Sequence, residues 1–451
     1  MRGVVAELRH VGRLAAPITV GMLASFGLGL VDTLMVGPLG RDALAGVSLA
    51  TNWYFACSVL GIGAMRAVDP IVSQAHGAGD HAAVGRALGN ALALALVLCV
   101  PIGLLLAGTA WILPALGQAP GLVSFAARFC AILLLGLPGS FLFAALRQVL
   151  QGIGDVRPAT VVLLVANVVN AVLVWLFVYH LGWGPIGCAV ATATCHTLCF
   201  LALALAVRRR LAAYVPGGLR AALRSVAEGG VRVVSRLLRE GVPLGVQMGM
   251  EAWAFSAAGL MVGWLGTTSM AAHSITLTLA SLAFMVPLGI SGAAATRVGN
   301  LVGAGGPWAR AAVAAVMLGM VGMSVFALLF AGAPVQVAGA WHPDPEVLAL
   351  ASRLLPIAGA FALFDGVQVV SFGILRGAGD LRVPSLANLL GYWVFGLPLG
   401  AWLAFRQGWG VVGIWTGLAV ALATVAVLLV ARIRHVARRG AVRVVLDARA
   451  G

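Results

Sequence analysis

The chain contains no lysine: all 29 of its basic residues are arginine, and charged residues of every kind make up only 10% of 451 positions. A soluble globule carries about 25% charged residues. With 61% hydrophobic residues, the composition excludes a soluble domain and implies a polytopic membrane protein. The six cysteines (Cys57, Cys99, Cys130, Cys188, Cys195, Cys199) show no metal-type spacing and lie in or beside apolar stretches, so they read as small apolar packers. The N-terminal apolar stretch does not read as a cleavable signal, because it is a full-length span that carries Asp32. No long loop holds clustered acids or histidines; the longest, 208–238, has only Glu228. The chain is therefore not expected to be an enzyme, and no cofactor is implied.

Apolar stretches of membrane-crossing length fall near 12–37, 45–68, 87–110, 122–149, 159–180 and 185–207. A second set falls near 240–265, 271–296, 311–333, 347–374, 384–405 and 410–433. The sets are copies. At an offset of 226, Pro17 meets Pro243, Met35–Val36–Gly37 meets Met261–Val262–Gly263, Gly77 and Gly79 meet Gly303 and Gly305, and Gly182–Trp183–Gly184 meets Gly408–Trp409–Gly410. Between these the register slips by one, so that Arg128 meets Arg353 and Gly152–Arg157 meets Gly377–Arg382. Glycine, proline, arginine and aspartate held in phase over this length indicate an ancestral duplication. The expected fold is an all-α membrane protein of twelve transmembrane helices in two six-helix bundles. Its parts are an N-terminal lobe (1–210), a cytoplasmic linker (211–235), a C-terminal lobe (236–433) and a basic cytoplasmic tail (434–451).

Arginine placement sets the orientation. With both termini and the central loop in the cytoplasm, 25 arginines lie inside and only Arg41, Arg128, Arg353 and Arg406 lie outside. Multi-pass insertion with both termini cytoplasmic follows. The basic loop lacks interleaved aromatics, so anionic lipid headgroups rather than nucleic acid are its expected contacts.

Asp32, Glu251 and Asp365 are the acids well inside the spans, and each costs roughly 2.5–3.5 kcal/mol at a helix centre. None repeats: the other copy has Ala258 opposite Asp32, Ser25 opposite Glu251, and Gly139 or Ser140 opposite Asp365. The scaffold does not demand them, so they are candidate ion-coupling and substrate-binding groups. Glu251 and Asp365, near the midplane of the first and fourth helices of the second half, are candidate partners. Two such carboxyl groups could share an exchangeable proton or ligate Na+. Asp32, nearer the outer end of its helix, either faces a cavity or snorkels outward. Asp69, Asp155 and Asp380 read instead as structural ion pairs near Arg66, Arg157 and Arg382.

Aromatic rings at cavity height suit a lipophilic cation. They are Trp53, Tyr54, Trp253, Phe255, Phe361, Phe364 and Trp393, with Trp253 and Phe255 favoured by adjacency to Glu251. Ser274 and Phe361 join the substrate-binding candidates, and His273 reads as an outer-interface residue. Glycine, 59 residues in all, reads mainly as a helix-packing residue.

The segments VDTLMVGPLG from Val31, SQAHGAG from Ser73, EAWAF from Glu251, AAHSI from Ala271, PLGISGAAATRVGNLVGAG from Pro287, FDGVQ from Phe364, GILRGAGD from Gly373 and GYWVFGLPLG from Gly391 together resemble the multidrug and toxic compound extrusion (MATE) family over residues 10–433, in its NorM-like branch. The resemblance implies export of organic cations and other amphipathic compounds against inward H+ or Na+, by a monomer, with functional acids that map onto Asp32, Glu251 and Asp365. If the ion is Na+, Glu251 and Asp365 become its ligands. Another branch uses an aspartate in helix 5; here that stretch offers Asn167 and Asn170 but no acid. Phe361 stands where some members are expected to have tyrosine. The alternative is a flippase or exporter of lipid-linked or polysaccharide precursors from the same superfamily, which would favour a basic rather than an acidic cavity. A major facilitator is disfavoured because SQAHGAGDHAAVGR does not match that family's charged loop.

Overall fold

The computed structural model describes residues 2–215, 218–341 and 344–441; of residues 218–233 it describes the backbone alone. The twelve long helices are α1 (Gly3–Leu39), α2 (Arg41–Gly77), α3 (His81–Ala107), α4 (Pro120–Gly152), α5 (Arg157–His180), α6 (Pro185–Leu211), α7 (Gly218–Gly263), α8 (Thr267–Gly303), α9 (Ala309–Gly332), α10 (Pro345–Gly377), α11 (Arg382–Arg406) and α12 (Val411–Arg439). Eleven of these are apolar and long enough to cross a membrane, and α7 contains all but the last two residues of the remaining apolar stretch, 240–265. No strand occurs among the described residues. The all-α fold and its duplication match expectation. Helix α7 begins at Gly218, inside the stretch 211–235 expected as a linker. Side chains of most of that stretch, and the tail beyond residue 441, lie outside the described residues.

The repeated glycines are repeated turns. Gly40 and Gly266 have φ of 107° and 102°, Gly182 and Gly408 have 68° and 72°, and Gly184 and Gly410 have 60° and 57°. Only glycine takes such φ without a steric penalty, which is why these positions stay in phase.

The described residues form two compact units, one of residues up to Met22 with 247–441, the other Leu23–Val246. Within each, a small-residue contact joins helices of different copies. In the second unit, a Cβ on Gly63 of α2 would meet the Cα of Gly245 of α7 at 2.6 Å. In the first, a Cβ on Gly289 of α8 would collide with Thr19 of α1. These contacts are equivalent at the offset of 226, and helix pairs that approach this closely in lipid depend on such small residues.

Polar pairs close the helix ends. Arg210 bonds both carboxylate oxygens of Asp155, at 2.8 and 2.6 Å, and Arg432 Nε bonds Asp380 Oδ2 at 2.6 Å. Asp155 and Asp380 thus form ion pairs with arginines of α6 and α12. Asp69, buried, accepts a hydrogen bond from Gln151 Nε2 at 3.3 Å. All six cysteines are free, and five are buried.

Candidate functional site

In the C-terminal lobe, α7, α10 and α11 bring one polar cluster together inside an apolar core. Gln247 and Glu251 are one turn apart on α7, so their side chains meet on one face: Gln247 Nε2 donates to Glu251 Oε2 at 2.9 Å. Asn388 of α11 donates to the same oxygen, Nδ2 to Oε2, at 2.9 Å. Gln368 of α10 in turn donates from Nε2 to Asn388 Oδ1 at 3.1 Å. That last bond sets the Asn388 amide: with its oxygen engaged by Gln368, its N–H group faces Glu251. Phe361, Asp365 and Gln368 lie at i, i+4 and i+7, one stripe of α10. Asp365 is buried, 3% exposed, within electrostatic range of Glu251.

Aromatic rings wall this cluster. Phe255 meets Phe361 and Tyr392 edge-on, with centroids 6.0 and 5.7 Å apart. Phe361 meets Trp415 edge-on at 5.7 Å, and Trp415 Nε1 donates to His273 Nδ1 at 3.2 Å. Trp393 Nε1 donates to the Met250 carbonyl at 3.0 Å, fixing α11 to α7 beside the acid.

Among the expected site residues, Glu251, Asp365, Phe255 and Phe361 come together. Phe361 is interior, 5% exposed, and its place in the ring cluster is filled by packing without a hydroxyl. Trp253 does not join them: two positions past Glu251 is roughly 200° around a helix, and the ring is exposed. Ser274 and Phe364 are also on exposed faces. His273 is a correction. It is 1% exposed and accepts from Trp415, so it belongs to the core and not to the outer interface.

In the N-terminal lobe, Asp32 of α1 is buried rather than snorkelling. Asn170 Nδ2 of α5 donates to its Oδ1 at 2.6 Å. The Thr192 hydroxyl of α6 lies 3.0 Å from its Oδ2 and 3.0 Å from the Cys188 carbonyl, and can donate to only one of them at a time. Asn167, one turn before Asn170, donates to the Ala24 carbonyl at 2.9 Å and ties α5 to α1.

Gln247, Gln368, Asn388, Tyr392 and Thr192 escaped the sequence reading. The signal available for three of them was spacing: Gln247 and Gln368 stand one turn from an acid, and Asn388 is a carboxamide inside an apolar span. Among the described residues no group of three or more histidines, cysteines or acids is arranged for a metal ion. A monovalent cation would draw instead on carboxylate, amide and hydroxyl oxygens.

Comparison with known proteins agrees with this architecture. The MatE family model matches residues 17–176 and again 243–402, two blocks offset by 226 at both ends. The probable multidrug resistance protein NorM of Burkholderia mallei is 37% identical over 97% of this chain and 94% of its own length. That of Deinococcus radiodurans is 36% identical over 96% and 97%. A crystal structure of the eukaryotic MATE transporter AtDTX14 superposes with a TM-score of 0.86 at 23% identity, covering 97% of this chain and 98% of that one. Two matched repeats, relatives that are similar end to end and a shared twelve-helix fold make this chain a member of the MatE family of membrane transporters.

Proposed function

We propose that the protein is a proton-coupled antiporter of a bacterial inner membrane. It exports organic cations and other amphipathic drugs by alternating access, as a monomer with both termini cytoplasmic. One observation carries the reading: Glu251 and Asp365, absent from the other repeat, lie within electrostatic range of each other in an apolar, aromatic-walled interior. Such acids are costly in a membrane and are kept for a moving charge. The names of the curated relatives support the drug cargo, and the arginine asymmetry supports the orientation.

Donor chemistry supports proton rather than Na+ coupling. Glu251 faces N–H groups from Gln247 and Asn388, and Gln368 holds the Asn388 amide in that sense. N–H donors stabilise a bare carboxylate, whereas bound Na+ would need amide oxygens in their place. Asp32, held by Asn170 and Thr192, is a second acid able to take part in coupling. If Na+ drives transport after all, Glu251 and Asp365 are its ligands.

Energetics limit the cycle. One charge crossing 100 mV supplies about 2.3 kcal/mol, but one inward H+ for one outward monovalent cation moves no net charge and draws only on the pH gradient. Everted vesicles test the reading: adding a cationic dye or drug should discharge a preformed pH gradient without Na+. A strict Na+ requirement would replace the proton with Na+. No drug-triggered ion movement of either kind would remove the antiporter.

A further inference from the structure

Two one-residue slips separate the lobes in register, one between Gly79 and Arg128 and a second that falls beside the acid pair. Buried positions of α5 and α11 show where. Ala159, Thr160, Leu163 and Ala166 correspond to Pro384, Ser385, Asn388 and Gly391, each 225 apart. Asn170, Val174 and Val178 correspond to Gly396, Gly400 and Ala404, each 226 apart. The extra residue of α11 therefore lies within Gly391–Gly396, and this segment is a π-turn. A π-turn closes i to i+5 and takes up one residue more than an α-turn, without a loop. The matching part of α5 is α-helical through Val174. A later π-turn, Trp402–Arg406, has its counterpart in Trp175–His180 and does not account for the slip.

Where α5 buries one residue, Ala166, α11 buries two, Gly391 and Tyr392. Tyr392 is 1% exposed, with its ring edge-on to Phe255 at 5.7 Å. Its hydroxyl is buried and makes no hydrogen bond of full geometry, and the carboxyl groups that act on it are Glu251, the nearer to bonding, and Asp365. The neighbouring residues of α11 already grip α7 at this level, Asn388 through Glu251 and Trp393 through the Met250 carbonyl. A buried O–H with no acceptor is costly, and here the nearby acceptors are the coupling acids. The titratable groups facing Tyr392 are Glu251 from α7 and Asp365 from α10. The next in the same cluster is His273 of α8, engaged by Trp415 of α12.

We propose that the inserted π-turn seats Tyr392 as the third member of the acid site, a positioning residue whose hydroxyl donates to Glu251 once that carboxyl has released its proton. The proposal rests on the proton-coupled reading above. It makes the lobe's asymmetry functional: the insertion supplies a donor that the other copy, with Ala166 at that level, does not have.

The test is a pH titration of the purified protein in lipid, followed by the infrared carboxyl C=O band and run beside drug-triggered proton movement in vesicles. Glu251→Gln identifies the band. Tyr392→Phe keeps the packed ring and removes only the donor, so the Glu251-dependent midpoint should move up by about one pH unit, and the transport pH profile should move with it. A packing role alone would move neither. Equal midpoints in the parent and Tyr392→Phe, or a Glu251-dependent band that does not titrate, would overturn the proposal. A shifted band in a protein that shows no drug-triggered proton movement would retire the antiporter reading and leave the assignment of Tyr392 standing.

Discussion

The lobes share a scaffold to within one residue and differ almost wholly in the polar groups set into it. The N-terminal lobe holds one acid well inside the spans, Asp32, with donors from α5 and α6. The C-terminal lobe holds two, Glu251 and Asp365, with amides from α7, α10 and α11 and a phenol. Duplication supplied helices, turn glycines and the end-closing Asp155 and Asp380 to both, whereas their partners Arg210 and Arg432 stand about one turn out of register. The acids are not shared: a neutral residue stands opposite each of them. A repeat thus separates what the fold requires from what one lobe alone needs.

Substitutions can break or sharpen that contrast. The largest effect is expected at the acid pair: Glu251→Gln or Asp365→Asn should reduce drug-resistance complementation to the empty-vector level with membrane amount unchanged, as read by growth on a cationic drug and by immunoblot. Full activity in both would remove the pair from coupling. In the other lobe, Asn170→Ala deletes a hydrogen bond to a charged group, worth about 1.5–3 kcal/mol. The pH midpoint of any Asp32-dependent exchange should move up by one unit or more, while a response independent of Asp32 should stay in place. If Asp32→Asn and Asp365→Asn prove equally inactive, the lobes are not functionally distinct.

The scaffold should respond alike in both halves. Gly63→Leu and Gly289→Leu, equivalent at the offset of 226, each push a side chain into backbone, Gly245 or Thr19. Each should destabilise by about 1–3 kcal/mol in thermal unfolding; a large effect from only one would mean that the equivalent contacts differ in weight. The smallest effects belong to the ion pairs. Arg210 is 57% exposed and Arg432 33%, so Arg210→Ala and Arg432→Ala should each cost under about 1 kcal/mol, Arg432→Ala the more.

Much of this was legible before any coordinates. Spans follow from apolar length, and the repeat follows from glycines whose positive φ no other residue adopts cheaply. The three acids stand out because charge in hydrocarbon is expensive. Their partners do not stand out: Asn388, Gln368 and Thr192 are neutral, and a neutral polar residue in a span fits packing as well as function. Rotation is the harder quantity. Hydropathy gives depth but not azimuth, so His273, at the depth of the interface, proves to point into the core, and Trp253, next but one to Glu251, points elsewhere. In α11 the π-turn advances the phase by one residue, so a 3.6-residue period read from either end misplaces the other. The one-residue slip between copies was visible in the sequence, but not which turn absorbed it.

The contact of Gly245 with Gly63 makes a mechanical part of α7. Backbone touches backbone there, and the helix runs on without a break to Gly263. Glu251 lies six residues beyond this fulcrum, about 9 Å, and the far end of the helix eighteen residues beyond it, about 27 Å. A tilt of about 10° would displace the acid by less than about 2 Å and the far end by roughly 5 Å. For any tilt about this contact the far end of α7 travels about three times as far as Glu251, the ratio of the two arms.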